Sequence, residues 1–411
     1  MRFRIAEHEL KTVETKAAII KMAPPGLYVH VPWCVAKCPY CDFNSHVLRG
    51  ELPQEDYRAA LLADLDFELA HRPASGPLHS VFFGGGTPSL LAPETVAALL
   101  DTFRGRLDLE ADVEITLEAN PGTIERGRFA EYRAAGINRF SLGVQSFDDA
   151  MLHRLGRIHS AREAWAAAEE LHAAGAENFN LDLMHGLPGQ DAAGALADIG
   201  SAVALAPAHL SWYELTLEPG TAFYRRPPVL PPEDDLAVIE DAGCAEIAAA
   251  GYARYEVSAY ARPGRECRHN DNYWRYGDYI GIGPGAHGKR SGAAGIVRTA
   301  RIRSPARWQR LAGRAEALSV REIPPMERPF EFLLGALRRT DGFTWSEFEA
   351  RTGCPRESVG EPVAEAQADG LLEIDSRGGI RASTWGFRYL NELQSRFLPE
   401  AGVSKGLDAI F

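Results

Sequence analysis

From Leu27 to Tyr260 the chain alternates short β-rich runs with longer stretches of helical period, and this alternation narrows the possible folds more than any other feature. The strand candidates are "LYVHVPW", "SVFFGGGT", "VEITLEAN", "NRFSLGVQS", "NFNLDLMHGLPG", "HLSWYELTL" and "YARYEVSAY". Between them, "EDYRAALLADLDFELA", "PETVAALLDTF" and "AREAWAAAEELHAAG" return apolar residues every three or four positions, as amphipathic helices do. Six or seven βα units of this kind predict an α/β fold, a partial (β/α)6 TIM-like barrel. A doubly wound open sheet is the alternative. Each strand candidate ends in polar or glycine-rich residues, and in a barrel those ends converge on the rim where sites form.

The remaining chain divides by composition. Residues 1–26 read as an N-terminal extension, with Met22 as a candidate start, ahead of a core spanning 27–290. From Gly281 to Arg314 there are eight Lys or Arg residues and no Asp or Glu, so residues 291–325 read as a basic connector. The segment 326–411 then orders three helices, a hairpin ("LLEIDSRGGIRAS") and a last helix, the sequence of elements in a winged helix. With 14 acidic and 10 basic residues, that module lacks the electrostatic footprint of a nucleic-acid reader and reads as a lid or packing domain. The whole chain, at net charge -12, argues the same way. No apolar run approaches the roughly 20 residues of a membrane span, and no secretory signal is recognisable, which predicts a cytoplasmic protein.

"HVPWCVAKCPYCDF" places Cys34, Cys38 and Cys41 in a C-x-x-x-C-x-x-C spacing directly after the first strand candidate. A disulfide framework would leave one of the three unpaired in a reducing compartment. A structural zinc site closes with four ligands, and Cys244, Cys267 and Cys354 are isolated in sequence. Three thiolates suit a cubane iron-sulfur cluster whose fourth iron stays open to another ligand.

This loop, at that place in a βα barrel, resembles the radical S-adenosylmethionine (SAM) superfamily. The resemblance implies a [4Fe-4S] cluster on Cys34, Cys38 and Cys41, with SAM chelating the open iron. It also implies SAM contacts from Tyr28, Tyr40, Gly85, Gly86, Thr87, Glu118, Gln145, Arg157 and Asp182. Elementary chemistry agrees with those types: glycines let a backbone approach a ligand, carboxylates hold ribose hydroxyls or an ammonium, and arginine pairs with a carboxylate. Taken one at a time, "GGGT" also reads as a plain turn, and each charged residue as a salt-bridged rim residue.

Together, "YVHVPWC", "GGGTPS", "EANPGT", "SLGVQSF", "LGRIH" and "DLMHGLPGQ" resemble the anaerobic coproporphyrinogen III oxidase-like branch. The oxidases of that branch carry a further cysteine where this chain has Phe43, whereas the "CDFNSH" continuation resembles the branch's haem chaperones. So does "RHNDNYW", in which His269, Asn270, Tyr273 and Trp274 spell H-N-x-x-Y-W. The resemblance implies haem as a third cofactor, an acceptor protein as partner, and peripheral membrane association only through that acceptor; whether substrate is turned over stays open. His269 is the candidate haem ligand, with hydrogen-bonded structure as its competing reading. His287 and Cys267 follow as weaker candidates, and the basic stretch from Lys289 to Arg314 as a partner for haem propionates. The rival activity is oxidative decarboxylation of coproporphyrinogen III.

Overall fold

The computed structural model describes residues 20, 24–72, 74–122 and 127–399, so the expectation about a start at Met22 lies outside the described residues. After β1 (Gly26–Val31) come the two-residue strands β2 (Trp33–Cys34) and β3 (His46–Val47), then β4 (Leu78–Gly85), β5 (Leu109–Ala119), β6 (Arg139–Gln145), β7 (Phe179–His185) and β8 (His209–Glu214). β1 and β4 to β8 are neighbours in that order and all parallel. An order that never reverses is a sheet wound in one direction, which excludes the doubly wound alternative.

Register explains the stability of the sheet. Val29, Phe83, Leu117, Phe140 and Phe179 pair in one row across five strands, each at most 1% exposed. Burying a side chain of this size contributes roughly 1.5–3 kcal/mol. Parallel strands need crossovers, supplied by α1 (Gln54–His71), α2 (Pro93–Arg106), α3 (Phe129–Ala135), α4 (Asp149–Arg154), α5 (Ala161–Ala173) and α6 (Ala192–Ala204). α5 starts where Ser160 and Glu163 form a capping box, and it buries Ala164, Ala167, Ala168 and Leu171 along one face. Beyond β8 come α7 (Ala222–Arg225) and α8 (Glu233–Ala249).

Two expectations fail here. "YARYEVSAY" does not form a seventh barrel strand: it folds into the hairpin β9 (Ala253–Glu256) and β10 (Ala259–Ala261), which adds antiparallel to β8. Only two residues separate its halves, enough for a turn and far too few for a parallel crossover. After α9 (Arg268–Trp274), the seventh parallel strand is β11 (Tyr279–Ile282), which pairs with the free side of β1. It is short and glycine-containing because a Cβ at Gly281 would lie 1.8 Å from the carbonyl oxygen of His287. The stretch 291–325 is likewise no connector. β12 (His287–Gly292), β13 (Gly295–Arg301) and β14 (Leu318–Glu322) extend the same sheet antiparallel from β11. One of its cations is spent deep inside: Arg301 joins Asp64 (3.1 Å) and Glu68 (2.9 Å) of α1, all three side chains at most 2% exposed. The twelve-stranded sheet runs from β14 to β9 as its two edges, a partial barrel.

The C-terminal module follows the expected order: helices Arg328–Ala336, Trp345–Thr352 and Gly360–Ala368, a hairpin of Leu372–Ile374 with Gly379–Ala382, then two short helices. Phe332, Phe343, Phe348, Val363 and Ile380 form its own core. It locks onto the barrel through Glu331, which accepts from the Tyr276 hydroxyl (2.9 Å) and pairs with Arg298 (2.9 Å). Among the described residues no helix is long and apolar enough to cross a membrane.

Candidate functional site

The three-cysteine loop leaves the C-terminal end of β1 and is tied back on itself. β2 pairs with β3, and Lys37 Nζ donates to the carbonyls of Phe43 (3.1 Å) and Ser45 (3.0 Å). From below it rests on His30. His30 Nε2 lies 3.0 Å from the Asn44 carbonyl, which can only accept, so that nitrogen carries the proton and Nδ1 accepts from the Tyr28 hydroxyl at 2.9 Å. The next strand end fits against this pair. Gly85 has φ +115°, and a Cβ there would come within 2.6 Å of the His30 ring; at Gly86 it would meet the Trp33 carbonyl oxygen at 2.6 Å. Glycine is therefore required by conformation and contact at Gly85 and by contact at Gly86, which packs this strand end against the start of the cluster loop.

The other strand ends bring their side chains to the same place. Glu118 accepts the Gly85 N–H (3.0 Å), and Asn120 donates to the Thr87 hydroxyl (2.9 Å). Asp182 accepts from Asn180 (2.8 Å) and Ser141 (3.0 Å). Gln145 holds a left-handed φ of 71°, rare for a residue with a side chain, and its Oε1 accepts from the Tyr213 hydroxyl (2.7 Å). Arg157 donates to Asn120 (2.7 Å) and the Gly143 carbonyl (2.6 Å), and its other terminal nitrogen reaches the Cys38 sulfur at 3.5 Å.

These groups surround a cavity of about 470 Å³. Cys34, Cys38, Cys41, Tyr40, Gly85, Gly86, Thr87, Glu118, Gln145, Arg157 and Asp182 line it, so the structure brings together every residue named for the cluster and SAM except Tyr28. Tyr28 stands one layer behind, on His30. Burial, then the charge of Asp182, pushes Glu118 up to about 8. Burial also raises Asp182 and the thiols of Cys34 and Cys41. Sequence reasoning missed Asn120, Ser141, His159 and Tyr213, all in the cavity wall. Asn120 and Tyr213 lie at strand ends, where the barrel rule alone would have found them.

His269 is placed elsewhere. It is 1% exposed, stacked on Phe82 (4.8 Å), with Nδ1 on the Ser80 hydroxyl (3.2 Å) and Nε2 on the Tyr273 hydroxyl (2.9 Å). Both ring nitrogens are thus engaged by hydroxyls, the arrangement of a structural histidine, and burial lowers its pKa to about 3. Helical geometry splits the motif, since residues four apart share a face. His269 and Tyr273 pin α9 to the sheet, while Asn270 and Trp274 line the cavity. Cys267 is buried away from the cavity against Glu114 (3.7 Å), its thiol pushed up by burial to about 12. His287 opens β12 and does not line the cavity. Of the basic stretch, Lys289 pairs with Asp278 (3.1 Å), Arg298 with Glu331 and Arg301 with α1, so these three cannot serve a propionate.

The donor set fits a cluster. Three half-buried thiols face one cavity with a guanidinium at hand to offset thiolate charge. Among the described residues no three His, Cys, Asp or Glu side chains gather closely enough to ligate a single ion. In a cubane each thiolate binds a different iron.

A three-thiol loop on the C-terminal rim of a partial parallel barrel defines a protein of the radical SAM class. The family model described as the radical SAM superfamily matches residues 28–197, and that of the HemN C-terminal domain matches 323–386. The chain is 49% identical to the heme chaperone HemW of Escherichia coli (strain K12) over 384 residues, 93% of this chain and 100% of that one. It is 39% identical to the mitochondrial radical S-adenosyl methionine domain-containing protein 1 of Mus musculus, covering 91% and 87%. The chain belongs to the HemW family. The solved structure of coproporphyrinogen III oxidase (HemN) from Escherichia coli superposes with a TM-score of 0.76 at 22% identity, over 93% of this chain and 91% of that one, a likeness of fold.

Proposed function

We propose that this chain is a cytoplasmic haem chaperone that holds a [4Fe-4S] cluster and SAM, binds haem, and passes it to an acceptor protein. The observation that carries this reading is identity of 49% along the full length of a protein named heme chaperone HemW. Phe43, in place of the oxidases' further cysteine, supports the same side.

In this reading Cys34, Cys38 and Cys41 each bind one iron, and a cluster so held supplies an electron and one open coordination site. Arg157 has a donor beside Cys38 and pairs with the SAM carboxylate. Glu118 and Asp182 hold the ammonium and ribose hydroxyls. Glu118 keeps its proton to about pH 8 beside Asp182, and a cationic group next to it draws that proton off. Gly85 and Gly86, in the cavity wall, offer their backbone to the methionine end.

Anaerobic reconstitution tests both halves of the proposal. The wild type should carry about four irons per chain, bind haem stoichiometrically, and release no carbon dioxide from coproporphyrinogen III with SAM and a reductant. Cys38→Ala should lose the iron, and Cys354→Ala should keep it. Robust decarboxylation by the wild type would replace the chaperone reading with the oxidase one.

A further inference from the structure

Three of the large apolar side chains exposed on the described surface line this one cavity: Val35 (41% exposed), Phe43 (62%) and Ile158 (67%). They come from two loops in direct contact. Val35 and Phe43 flank the thiols, and the Gly156–Ile158 turn abuts that loop, with Arg157 on the Cys38 sulfur (3.5 Å) and Gly156 so close to Pro39 that a Cβ would lie 2.8 Å from its ring. Exposed side chains of this size gathered at one opening are a binding feature in a protein with a polar surface. SAM does not account for them, because its polar groups find partners deeper in, among Glu118, Asp182 and Arg157.

A cation stands beside this lip. Asn44, the residue after Phe43, donates to the backbone carbonyl of Arg303 at 2.9 Å, which brings Arg303 to the edge of the cluster loop. Its side chain is exposed and has no acidic partner among the described residues, unlike the neighbouring Arg298 and Arg301, which are paired inside.

We propose that haem lies on this lip, its apolar ring against Phe43, Ile158 and Val35 and a propionate towards Arg303. The proposal rests on the haem-chaperone reading and adds the place where haem is held. The chemistry of the two candidate places separates them. The interior offers one arginine, Arg157, which this reading gives to the SAM carboxylate, and its nearest motif histidine has both nitrogens on hydroxyls. The lip offers apolar area with one unpaired cation at its edge, matching a flat ring with an anionic rim. Haem on an open lip also reaches an acceptor without any opening of the barrel.

Haem titration of the full-length, reconstituted protein by visible absorbance tests this. Phe43→Ser and Ile158→Ser should each weaken haem binding by roughly tenfold to a hundredfold, the cost of losing one apolar contact. Arg303→Gln should weaken binding less and reduce its salt dependence. Both apolar positions are exposed, so melting temperature and iron content should match the wild type, and Val229→Ser, as exposed but away from this cavity, should bind haem within about twofold of it. Wild-type haem affinity in both serine variants would overturn the lip assignment. Impaired handover by serine variants that keep wild-type haem affinity would make the lip a protein contact and overturn the assignment likewise. Failure of the wild type itself to bind haem would overturn the chaperone reading and the lip together, so the two failures are distinguishable.

Discussion

Replacing His269 by alanine separates a structural histidine from an iron ligand. The imidazole bridges Ser80, which is fully buried, and Tyr273, and it stacks on Phe82. Alanine leaves the Ser80 hydroxyl without its partner, about 1–3 kcal/mol, and forfeits ring stacking of about 0.5–1.5 kcal/mol. With the vacated space the loss should total about 3–5 kcal/mol at pH 7.5. Acidification adds a signature. The folded pKa of about 3 lies below the unfolded value of 6.5, so the unfolded chain binds the proton first. The stability this group contributes is whole above pH 6.5 and drains away as pH falls towards 3, at up to about 1.4 kcal/mol per pH unit. Alanine has nothing to protonate. The gap between wild type and variant should therefore narrow by about 2 kcal/mol between pH 7.5 and pH 5. His30, His159 and His185, each lowered to about 4 by burial, drain stability equally from both proteins and cancel in the difference. Urea unfolding followed by circular dichroism at the two pH values measures the gap, and haem absorbance of the folded variant should be unchanged. A variant as stable as the wild type but without the haem spectrum would refute this reasoning and restore His269 as a ligand.

Two further substitutions test other parts of the fold. Arg301→Met should destabilise the barrel by about 3–5 kcal/mol in the same unfolding assay, because it strands Asp64 as a buried carboxylate with no cation and leaves Glu68 to Arg72 alone; adding Asp64→Asn should recover part of that loss. Gly85→Ala must place a methyl at φ +115° against the His30 ring, so SAM binding by equilibrium dialysis should fall by more than about tenfold, whereas Gly105→Ala, in α2 with nothing near its Cβ position, should bind normally and gain about 0.5–1 kcal/mol.

Most of the cavity lining was legible in the sequence because barrel strands deliver their last residues to one rim. A linear motif at a strand end is therefore already a statement about space: Cys34, Gly85, Glu118, Gln145 and Asp182 could be gathered before any coordinates were seen. The helices and hairpin of the C-terminal module were equally local, marked by period and turn residues. Three things were decided only by tertiary structure. β11 is four residues long, too short to carry a periodic signal, and exists because β1 offers it an unpaired edge. The cations between Lys289 and Arg314 look like a solvated connector in one dimension, yet Asp278, Glu331, Asp64 and Glu68, up to 237 residues away, take up three of them in buried pairs. The H-N-x-x-Y-W motif names four residues without saying which way they point. Only the packing of α9 against Phe82 and Ser80 turns His269 inward and leaves Asn270 and Trp274 to the cavity. Residue type sets what a side chain can do, whereas the orientation of its helix sets what it can reach.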